Sequence, residues 1–443
     1  MMVSCSGPHT PQRDPAGSVQ EPTQGAVAER VQGAAHLPPG GEALATDDGS
    51  PCRGDEVRPG EDVQRALDGA HAGTVCLADG TFRIRTSLQL HAGQTLWGTG
   101  RSVLSGSVTL SGWRRSGAGW VAKAPLPRHP DRTGRCEDQT HNLCQLSQQV
   151  FVDDVWQRRV ASVEELGPGA FHADYDQGVV DLGTDPRHHA VEMSLASRAV
   201  SAAEPGATVR GLVVEHFANP AQQGAVLVGP QASVFDNEVR WNHGVGIGLR
   251  DGDGARVYRN RVHHNGQLGM SQYRSRDAVI VQNVIEENNT DGFWVADWES
   301  GGLKVTRSSG LVSGNTVRNN LGVGVWCDIA VEDMTIRDNT ITDNGADGIR
   351  YEISRRATIE DNRVVGNGAG MRRGGGTTLW STAGINLNTS DAVRITGNSL
   401  SGNVNGISVQ ARHRGGGPWG TYRSGRVLVQ GNTVVMDLSL IHI

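Results

Sequence analysis

Apolar and polar positions follow a repeating pattern along the second half of the chain, from residue 209 onward. Each repeat reads apolar-x-apolar-x-x-Asn-x-apolar-x-x-Asn, then a turn, then Gly-apolar-x-apolar. The first asparagine of the repeat occurs at Asn237, Asn260, Asn283, Asn315, Asn339, Asn362, Asn398 and Asn432. The second follows five residues later, at Asn242, Asn265, Asn288, Asn320, Asn344, Asn367 and Asn403. Successive units are 23 or 24 residues long in four steps and 32 to 36 residues long in the other three, which indicates inserted loops.

A period near 23 residues predicts a right-handed parallel β-helix, a solenoid with three short strands in each coil. One coil cannot bury its apolar face alone, but coils stacked at about 4.8 Å bury a continuous interior and pair every strand with its neighbours. Asparagine suits the bends because it tolerates left-handed backbone, and stacked asparagines form side-chain ladders. The competing leucine-rich solenoid is not supported, since no L-x-x-L-x-L pattern is present. We therefore expect an all-β fold.

The pattern divides the chain into five segments. We expect a disordered leader or tether, an N-terminal cap with the first strands, a β-rich insertion, the regular coils and a non-native tail, at residues 1–50, 51–112, 113–200, 201–437 and 438–443. The leader is rich in Pro, Gly, Gln and Ala without an apolar period. Helical spacing in D-V-Q-R-A-L-D-G-A, residues 62–70, predicts a helix that caps the first coil. The tail L-S-L-I-H-I is what a common sequencing adaptor encodes in frame, and Asp437 before it takes the next ladder position.

Charge and hydropathy exclude two classes of partner. A net charge of -6 gives no basic surface for nucleic acid. No run of about 18 or more apolar residues occurs, so no membrane span is predicted. We expect a monomer.

The cysteines indicate an oxidising compartment. Cys136 and Cys144 are eight residues apart, a length that suits a local disulfide loop, and Cys52 and Cys76 flank a short segment and can also pair. Metal binding is the alternative, but the C-x-x-C spacing of zinc sites is absent. Cys327 falls at an inward strand position and is expected to be a buried free thiol. Paired cysteines predict an exported protein, extracellular or at the cell surface.

Cys5 has a small residue before it in M-M-V-S-C-S-G, as at a bacterial lipoprotein cleavage site. No apolar segment precedes it here, so a lipid anchor at Cys5 requires a start codon upstream of Met1. A tethered lipoprotein is one expectation and a leader without an anchor is the other.

The strand that follows each turn has a predictable register. When the turn glycine is counted as zero, positions one and three point inward and positions two and four outward. The inward set is Ile247 and Leu249, Met270 and Gln272, Phe293 and Val295, Val325 and Cys327, Ile349 and Tyr351, Ile385 and Leu387, and Ile407 and Val409. The outward set is Gly248 and Arg250, Ser271 and Tyr273, Trp294 and Ala296, Trp326 and Asp328, Arg350 and Glu352, Asn386 and Asn388, and Ser408 and Gln410.

The outward face combines aromatic rings with acids and amides, which suits a sugar chain because a pyranose has an apolar face and a polar rim. We expect substrate contacts from Trp294, Trp326, Tyr273, Trp298, Asn386 and Asn388. The alternative is that these aromatic residues only cover a sheet or pack under loops.

Asp328 and Glu352 occupy equivalent positions in successive coils, so their Cβ atoms are expected to lie roughly 5 Å apart. Such a pair shares a proton, binds a hard cation such as Ca²⁺, or acts as acid and nucleophile. The alternative is a pair neutralised by Arg350. An insertion from Trp298 to Ser309 is expected to leave this strand and to wall the face with Glu299 and Lys304. Further long loops occur at 368–382 and 411–425.

Three motifs carry a resemblance to known proteins: W-E-S-G-G-L-K (298–304), G-V-W-C-D-I (324–329) and G-I-R-Y-E-I-S (348–354). They resemble a bacterial secreted group with W-E-x-G-G-x-K, G-x-W-x-D and G-I-x-x-E-I-S, whose members are mostly named only for their fold. The run from Q-V-F-V-D-D to H-A-V-E-M-S looks like that group too. More broadly, residues 60–437 resemble the pectate-lyase-like right-handed β-helix superfamily.

The resemblance implies two enzyme templates. In the lyase template Lys304 is the base, Arg350 the acid or charge stabiliser, and Asp328, Glu352 and Glu299 a Ca²⁺ site. In the hydrolase template N-T-D at 289–291 matches one polygalacturonase motif, but none of the other motifs follows.

The leading expectation is an exported polysaccharide-active protein that cleaves an acidic polysaccharide by β-elimination. The alternatives are a non-catalytic glycan-binding or cell-surface module and a glycoside hydrolase that uses paired carboxylates.

Overall fold

The computed structural model describes residues 52–117, 119–128, 134–370 and 382–436. Within these ranges the chain is nearly all β, and its coils stack into a right-handed parallel β-helix, as the asparagine period predicts. The right hand is that of almost all connections between parallel strands of one sheet. The predictions for residues 1–50, for Cys5, for Asp437 and for 438–443 lie outside the described residues.

Two long sheets run along the solenoid. The site sheet, as we name it, has ten parallel strands: Leu88–Gln89, Val200–Ala202, Gly224–Val228, Val245–Arg250, Leu268–Tyr273, Gly301–Thr306, Val323–Asp328, Ile349–Glu352, Ile385–Asn388 and Ile407–Gln410. The ladder sheet has 21 strands: Asp55–Val57, Thr74–Leu77, Gly80–Arg83, Thr95–Ser105, Thr208–Glu215, Ser233–Phe235, Glu238–Arg240, Arg256–Tyr258, Arg261–His263, Ala278–Val281, Val284–Glu286, Gly310–Ser313, Thr316–Arg318, Glu332–Arg337, Thr340–Thr342, Arg355–Glu360, Arg363–Val365, Asp391–Thr396, Ser399–Ser401, Leu428–Gln430 and Thr433–Val435. Their inner faces enclose one continuous apolar core.

Both asparagine ladders are present. Each amide Nδ2 donates to Oδ1 of the asparagine in the next coil at 2.8 to 3.0 Å, from Asn237 to Asn432 and from Asn242 to Asn403. One detail of the prediction is wrong, because the asparagines themselves do not adopt the left-handed backbone. The residue before each one does, for example Asp236, with φ 56°, and Arg259, with φ 53°. That residue turns the backbone, and the asparagine that follows hydrogen-bonds to the asparagines of the neighbouring coils.

The N-terminal end carries the expected cap. The α-helix Val63–Ala70 begins after Asp62, whose side chain accepts a hydrogen bond from Arg65 N. Val63 and Leu67 are buried and belong to the core of the solenoid, so the helix covers the apolar end of the first coils.

The β-rich insertion forms a sheet of its own. Its strands are Ser107–Thr109, Arg114–Ser116, Gly119–Lys123, Val150–Val152, Val155–Arg159, Ala170–Asp174, Val179–Leu182 and Val191–Ser194. They pair mostly antiparallel over a separate apolar core. Short 3₁₀ helices occur at Leu143–Gln145 and Val163–Glu165, and a small hairpin pairs Gly416–Gly417 with Gly420–Thr421.

The cysteine expectations are confirmed. Disulfides join Cys52 to Cys76 and Cys136 to Cys144, and Cys327 is free and buried. Among the described residues, no helix has the length and apolar character needed to cross a bilayer.

The predicted register of the site sheet is wrong at one coil. Phe293 and Val295 were expected in the core, but the strand of this coil is Gly301–Thr306, and Leu303 and Val305 point inward there. The inserted loop, residues 289–300, therefore precedes the strand instead of leaving it.

The double glycine at the start of this strand explains where it begins. Gly301 has φ +124°, and a Cβ added to it would lie 2.3 Å from the carbonyl oxygen of Val323 in the next coil. Only glycine permits this close approach, so the chain rejoins the sheet at Gly301.

Candidate functional site

The corrected register changes which side chains lie on the outer face of the site sheet. The column at position two is Gly248, Ser271, Lys304, Trp326, Arg350, Asn386 and Ser408. The column at position four is Arg250, Tyr273, Thr306, Asp328, Glu352, Asn388 and Gln410. Lys304, which we expected in a surrounding loop, lies in the middle of the sheet, where Trp294 was predicted.

Trp294 and Trp298 are not on this face. Their rings stack at 5.9 Å, and Trp294 is 1% exposed in a small cluster with Cys136 and Cys144. The disulfide loop of the insertion packs on the 289–300 loop, and Glu137 N donates to Phe293 O at 2.7 Å. The two tryptophans thus anchor the loop to the insertion, so a sugar-stacking role for them does not fit this placement.

Trp326 lies between two cations. Lys304 Nζ is 3.2 Å from the ring centroid and Arg350 Cζ is 4.8 Å from it. They come from the strands on either side of Trp326, and the residue is 4% exposed. Because cations occupy its surroundings, Trp326 does not offer the open ring face that we expected for a sugar.

Lys304 bridges two carboxylates. Its Nζ donates to Asp328 Oδ2 at 2.7 Å and lies 3.3 Å from Glu299 Oε1. The side chain is 2% exposed. Two acids and an aromatic face surround its ammonium group, so the predicted role of Lys304 as the base does not fit this arrangement.

Glu352 is held by three donors. Trp326 Nε1 donates to Oε1 at 2.9 Å, while Arg414 Nη1 and Asn388 Nδ2 donate to Oε2 at 2.7 and 3.2 Å. Three donors, one of them charged, thus fill hydrogen-bonding positions on both oxygens of Glu352. Asn388 therefore supports Glu352.

Asp328 has the opposite environment. Its Oδ2 is bonded to Lys304, but its Oδ1 is buried without a hydrogen-bond partner. Burial raises the pKa of the Asp328 carboxyl; the ammonium of Lys304 opposes this, and the charge of nearby Glu352 adds to it. The register continues from Trp326 opposite Arg350 and places Asp328 beside Glu352, as predicted.

Arg350 has its own acidic partners. Its Nε donates to Asp347 Oδ2 at 2.5 Å and its Nη2 to Asp297 Oδ1 at 2.8 Å. Asn386 Nδ2 donates to the same Asp347 oxygen at 3.2 Å. Burial raises the pKa of Asp347, although Arg350 opposes the change. Asp347 thus holds both Arg350 and Asn386 in place on the outer face of the site sheet.

Three site residues escaped prediction. Asp347 precedes a turn glycine and looks like turn material, and Asp297 was part of the misassigned segment. Arg414 lies in the loop 411–425, whose length was a signal that we noted without naming a residue.

A cavity of about 670 Å³ opens beside Lys304 and extends over the preceding coils. Gly248, Ser271 and Tyr273 from the site sheet line it, together with Arg198 and Arg250. Tyr273 is the one predicted substrate-contacting aromatic residue that borders this cavity.

The carboxylates do not fit a Ca²⁺ site. Lys304 takes the position between Glu299 and Asp328, and Arg414 pairs with Glu352 at 2.7 Å. Calcium needs six to eight oxygen ligands, and protein cations already neutralise these oxygens.

Within the described part of the chain, one group of side chains is close enough to hold a metal ion, and it consists of Asp154, Glu192 and His216. Arg83 pairs with Glu192 through two hydrogen bonds, so a cation already occupies this position as well.

Comparison with known proteins supports the fold. The family model described as right handed beta helix region matches residues 223–383. XylC in complex with xylose superposes with a TM-score of 0.53 and 13% identity, over 80% of this chain and 67% of that one. A glycoside hydrolase gives 0.50 and 10%, over 87% and 98%. The chain therefore has the right-handed parallel β-helix fold.

The A-module of the mannuronan C-5 epimerase AlgE4 from Azotobacter vinelandii is also similar, with a TM-score of 0.41 and 16% identity, over 85% of this chain and 92% of that one. No curated protein sequence matches the chain significantly.

Proposed function

We propose that the protein is an exported enzyme that acts on a polysaccharide and hydrolyses glycosidic bonds with Asp328 and Glu352. The observation that carries the proposal is that two neighbouring carboxylates have opposite environments. Asp328 has a raised pKa and one free oxygen, and Glu352 accepts from three donors. Paired acids with such separated environments divide into a proton donor and an ionised carboxylate.

The roles follow from these environments. Asp328 donates its proton to the glycosidic oxygen, and the Glu352 carboxylate attacks the anomeric carbon as the bond to the leaving sugar breaks. Water then cleaves the glycosyl ester and returns its proton to Asp328. Residues facing each other on adjacent strands are about 5 Å apart, close to the roughly 5 to 5.5 Å of retaining glycosidases, so we expect retention of configuration.

Lys304 acts through Asp328 in this scheme. Its bond to Oδ2 orients the Asp328 carboxyl, whose buried Oδ1 has no other partner. Because the Lys304 ammonium lies where a cation would be held, we propose that the activity does not depend on Ca²⁺ and survives a chelator.

Two further observations support the proposal. Disulfides at Cys52–Cys76 and Cys136–Cys144 are typical of exported proteins. Proteins of the same fold include XylC, which binds xylose, and a glycoside hydrolase. At 13% and 10% identity they share the fold, and the proposal rests on the carboxylates.

The experiment compares wild type with Asp328→Asn on a panel of polysaccharides and of aryl glycosides with good leaving groups. We expect new reducing ends with wild type and a loss of about 10²- to 10⁴-fold with the variant on natural glycans. The loss should be smaller on activated glycosides, which need little acid assistance. Equal loss on both substrates, or no loss on either, would contradict the proton-donor role.

β-Elimination is the second candidate, favoured by one observation. Asp328 accepts from the Lys304 ammonium through Oδ2 and has no partner at Oδ1, which combines a proton acceptor with a cation on one residue pair. Elimination yields an unsaturated, ultraviolet-absorbing sugar, whereas hydrolysis does not. Binding without either product would identify a non-catalytic glycan-binding module.

A further inference from the structure

We propose that the cavity beside Lys304 is a subsite for an anionic group of the polysaccharide, a carboxylate or a sulfate, held by Arg198 and Arg250. This inference rests on the proposed function, because it names the class of substrate that the same face binds. It assigns a role to two residues outside the carboxylate pair.

The first support is positive charge on Arg198 and Arg250 that no carboxylate matches, since Glu299, the one acid in the lining, pairs with Lys304 at 3.3 Å. Arg198 is half-buried, and its guanidinium donates only to neutral oxygens, Gly224 O at 3.5 Å and Gln223 Oε1 at 3.3 Å. Within the described ranges neither Arg198 nor Arg250 has a carboxylate partner, although the neighbouring Arg274 pairs with Asp251 at 2.7 Å. Burial and the positive charge of Arg250 lower the pKa of Arg198. An anion bound between them would relieve this repulsion, and guanidinium groups suit carboxylate and sulfate oxygens.

The second support is the shape of the cavity. Its floor is formed by the small residues Gly224, Gly248 and Ser271, which leave room above the sheet. Tyr273 borders it, and Arg250 lies 5.4 Å from the Tyr273 ring centroid. A volume near 670 Å³ is within the range of ligand pockets, so a sugar unit with its charged substituent fits.

The third support is position. Arg250, Tyr273, Thr306 and Asp328 are successive members of one column of the site sheet. At about 4.8 Å per coil, Arg250 lies about 14 Å along the axis from Asp328. A pyranose ring is about as long as one coil is high, so about three sugar units span the roughly 14 Å. The charged sugar is the third unit from the cleaved bond, with two units between them.

The experiment measures binding of size-matched oligosaccharides to the whole protein by calorimetry: an oligogalacturonate, a heparin oligosaccharide and a neutral xylo-oligosaccharide. We expect the charged probes to bind and Arg198→Gln or Arg250→Gln to weaken them roughly 10- to 100-fold. The control Arg274→Gln, whose residue is exposed and paired with Asp251, should leave binding unchanged. Preference for the first or the second charged probe identifies a carboxylate or a sulfate.

The outcome is separable from that of the proposed hydrolysis. Charged probes that bind no better than the neutral one, that fail to bind, or that bind both arginine variants as tightly as wild type overturn the subsite while leaving the carboxylate pair untouched. Binding that persists in Glu352→Gln, together with absent cleavage of every glycan by wild type, would support the subsite and overturn the hydrolysis.

Discussion

Both sheets of this solenoid stack parallel strands coil by coil, but their polar side chains find hydrogen-bond partners in different ways. At the bends that border the ladder sheet, asparagines bond to one another from coil to coil and to backbone carbonyls, so their amides are satisfied within each column. On the site sheet the columns change residue at each coil, and partners come from other elements. Asp328 keeps an unpaired oxygen, and Arg198 and Arg250 lack acidic partners among the described residues. Where the same residue repeats from coil to coil, its polar groups pair with one another. Where the residues change, as on the site sheet, some polar groups have no protein partner and can bind a ligand.

The largest effect is expected on the site sheet. Glu352→Gln removes the attacking carboxylate and should lower glycan cleavage by about 10³-fold or more, equivalent to about 4 kcal/mol in the barrier. The matched control is Glu332→Gln. Glu332 lies on the ladder sheet, and the substitution removes only its ion pairs with Arg355 and Arg356. Reducing-end assays and thermal melts compare the two. A similar rate loss in both variants would contradict the claim that catalytic residues lie on the site sheet and not on the ladder sheet.

Substitutions in the asparagine ladder should lower the free energy of unfolding and leave the rate of glycan cleavage unchanged. Asn288 makes hydrogen bonds to Val262 O, Glu286 O and Asn320 Oδ1 and accepts from Asn265. Asn288→Ala leaves buried groups unpaired and should lower the free energy of unfolding by on the order of 3 kcal/mol. Urea denaturation measures the loss, and the folded variant should keep wild-type activity. Reduced activity at unchanged stability would contradict this separation.

A smaller effect is expected where the insertion meets the 289–300 loop. Burial raises the pKa of Asp291 from 3.8 to about 7, and its Oδ1 has no partner. The folded state therefore binds this proton more tightly than the unfolded state, and the resulting stability is complete below about pH 4 and lost as the pH rises through about 7.

Asp291→Asn should remove this decline, so the variant gains stability relative to wild type as the pH rises from 4 to 8. The difference between wild type and variant, followed by urea denaturation from pH 4 to 8, isolates the group from other carboxylates. A constant difference across this range would show that Asp291 does not titrate there.

The smallest effect is expected at the end of the ladder. Asn432 is half-buried and bonds to Ile395 O and Asn398, but solvent can replace its partners. Asn432→Ala should cost less than about 1 kcal/mol. A loss equal to that of Asn288→Ala would indicate that the ladder's stability does not depend on burial.

The repeat pattern predicted most of the fold because its physical constraints are local. Each coil must turn its apolar positions inward, and each ladder asparagine must align with the next, so spacing alone gave the axis and the register of six coils. Spacing alone gave the wrong register at the coil that contains the 289–300 loop. G-F-W-V satisfies the same local pattern as G-G-L-K-V, and only pairing of Leu303 with Met270 and Val325 selects the second.

The sequence by itself determined the solenoid, both ladders and the adjacency of Asp328 and Glu352, and it indicated the disulfide pairs, since all of these depend on spacing along the chain. The tertiary structure alone decided that Trp294 is buried under the disulfide loop, that Lys304 lies on the site sheet and that Arg414 reaches Glu352. These contacts join segments far apart in the chain, so they depend on how loops and insertion pack, which no local pattern encodes.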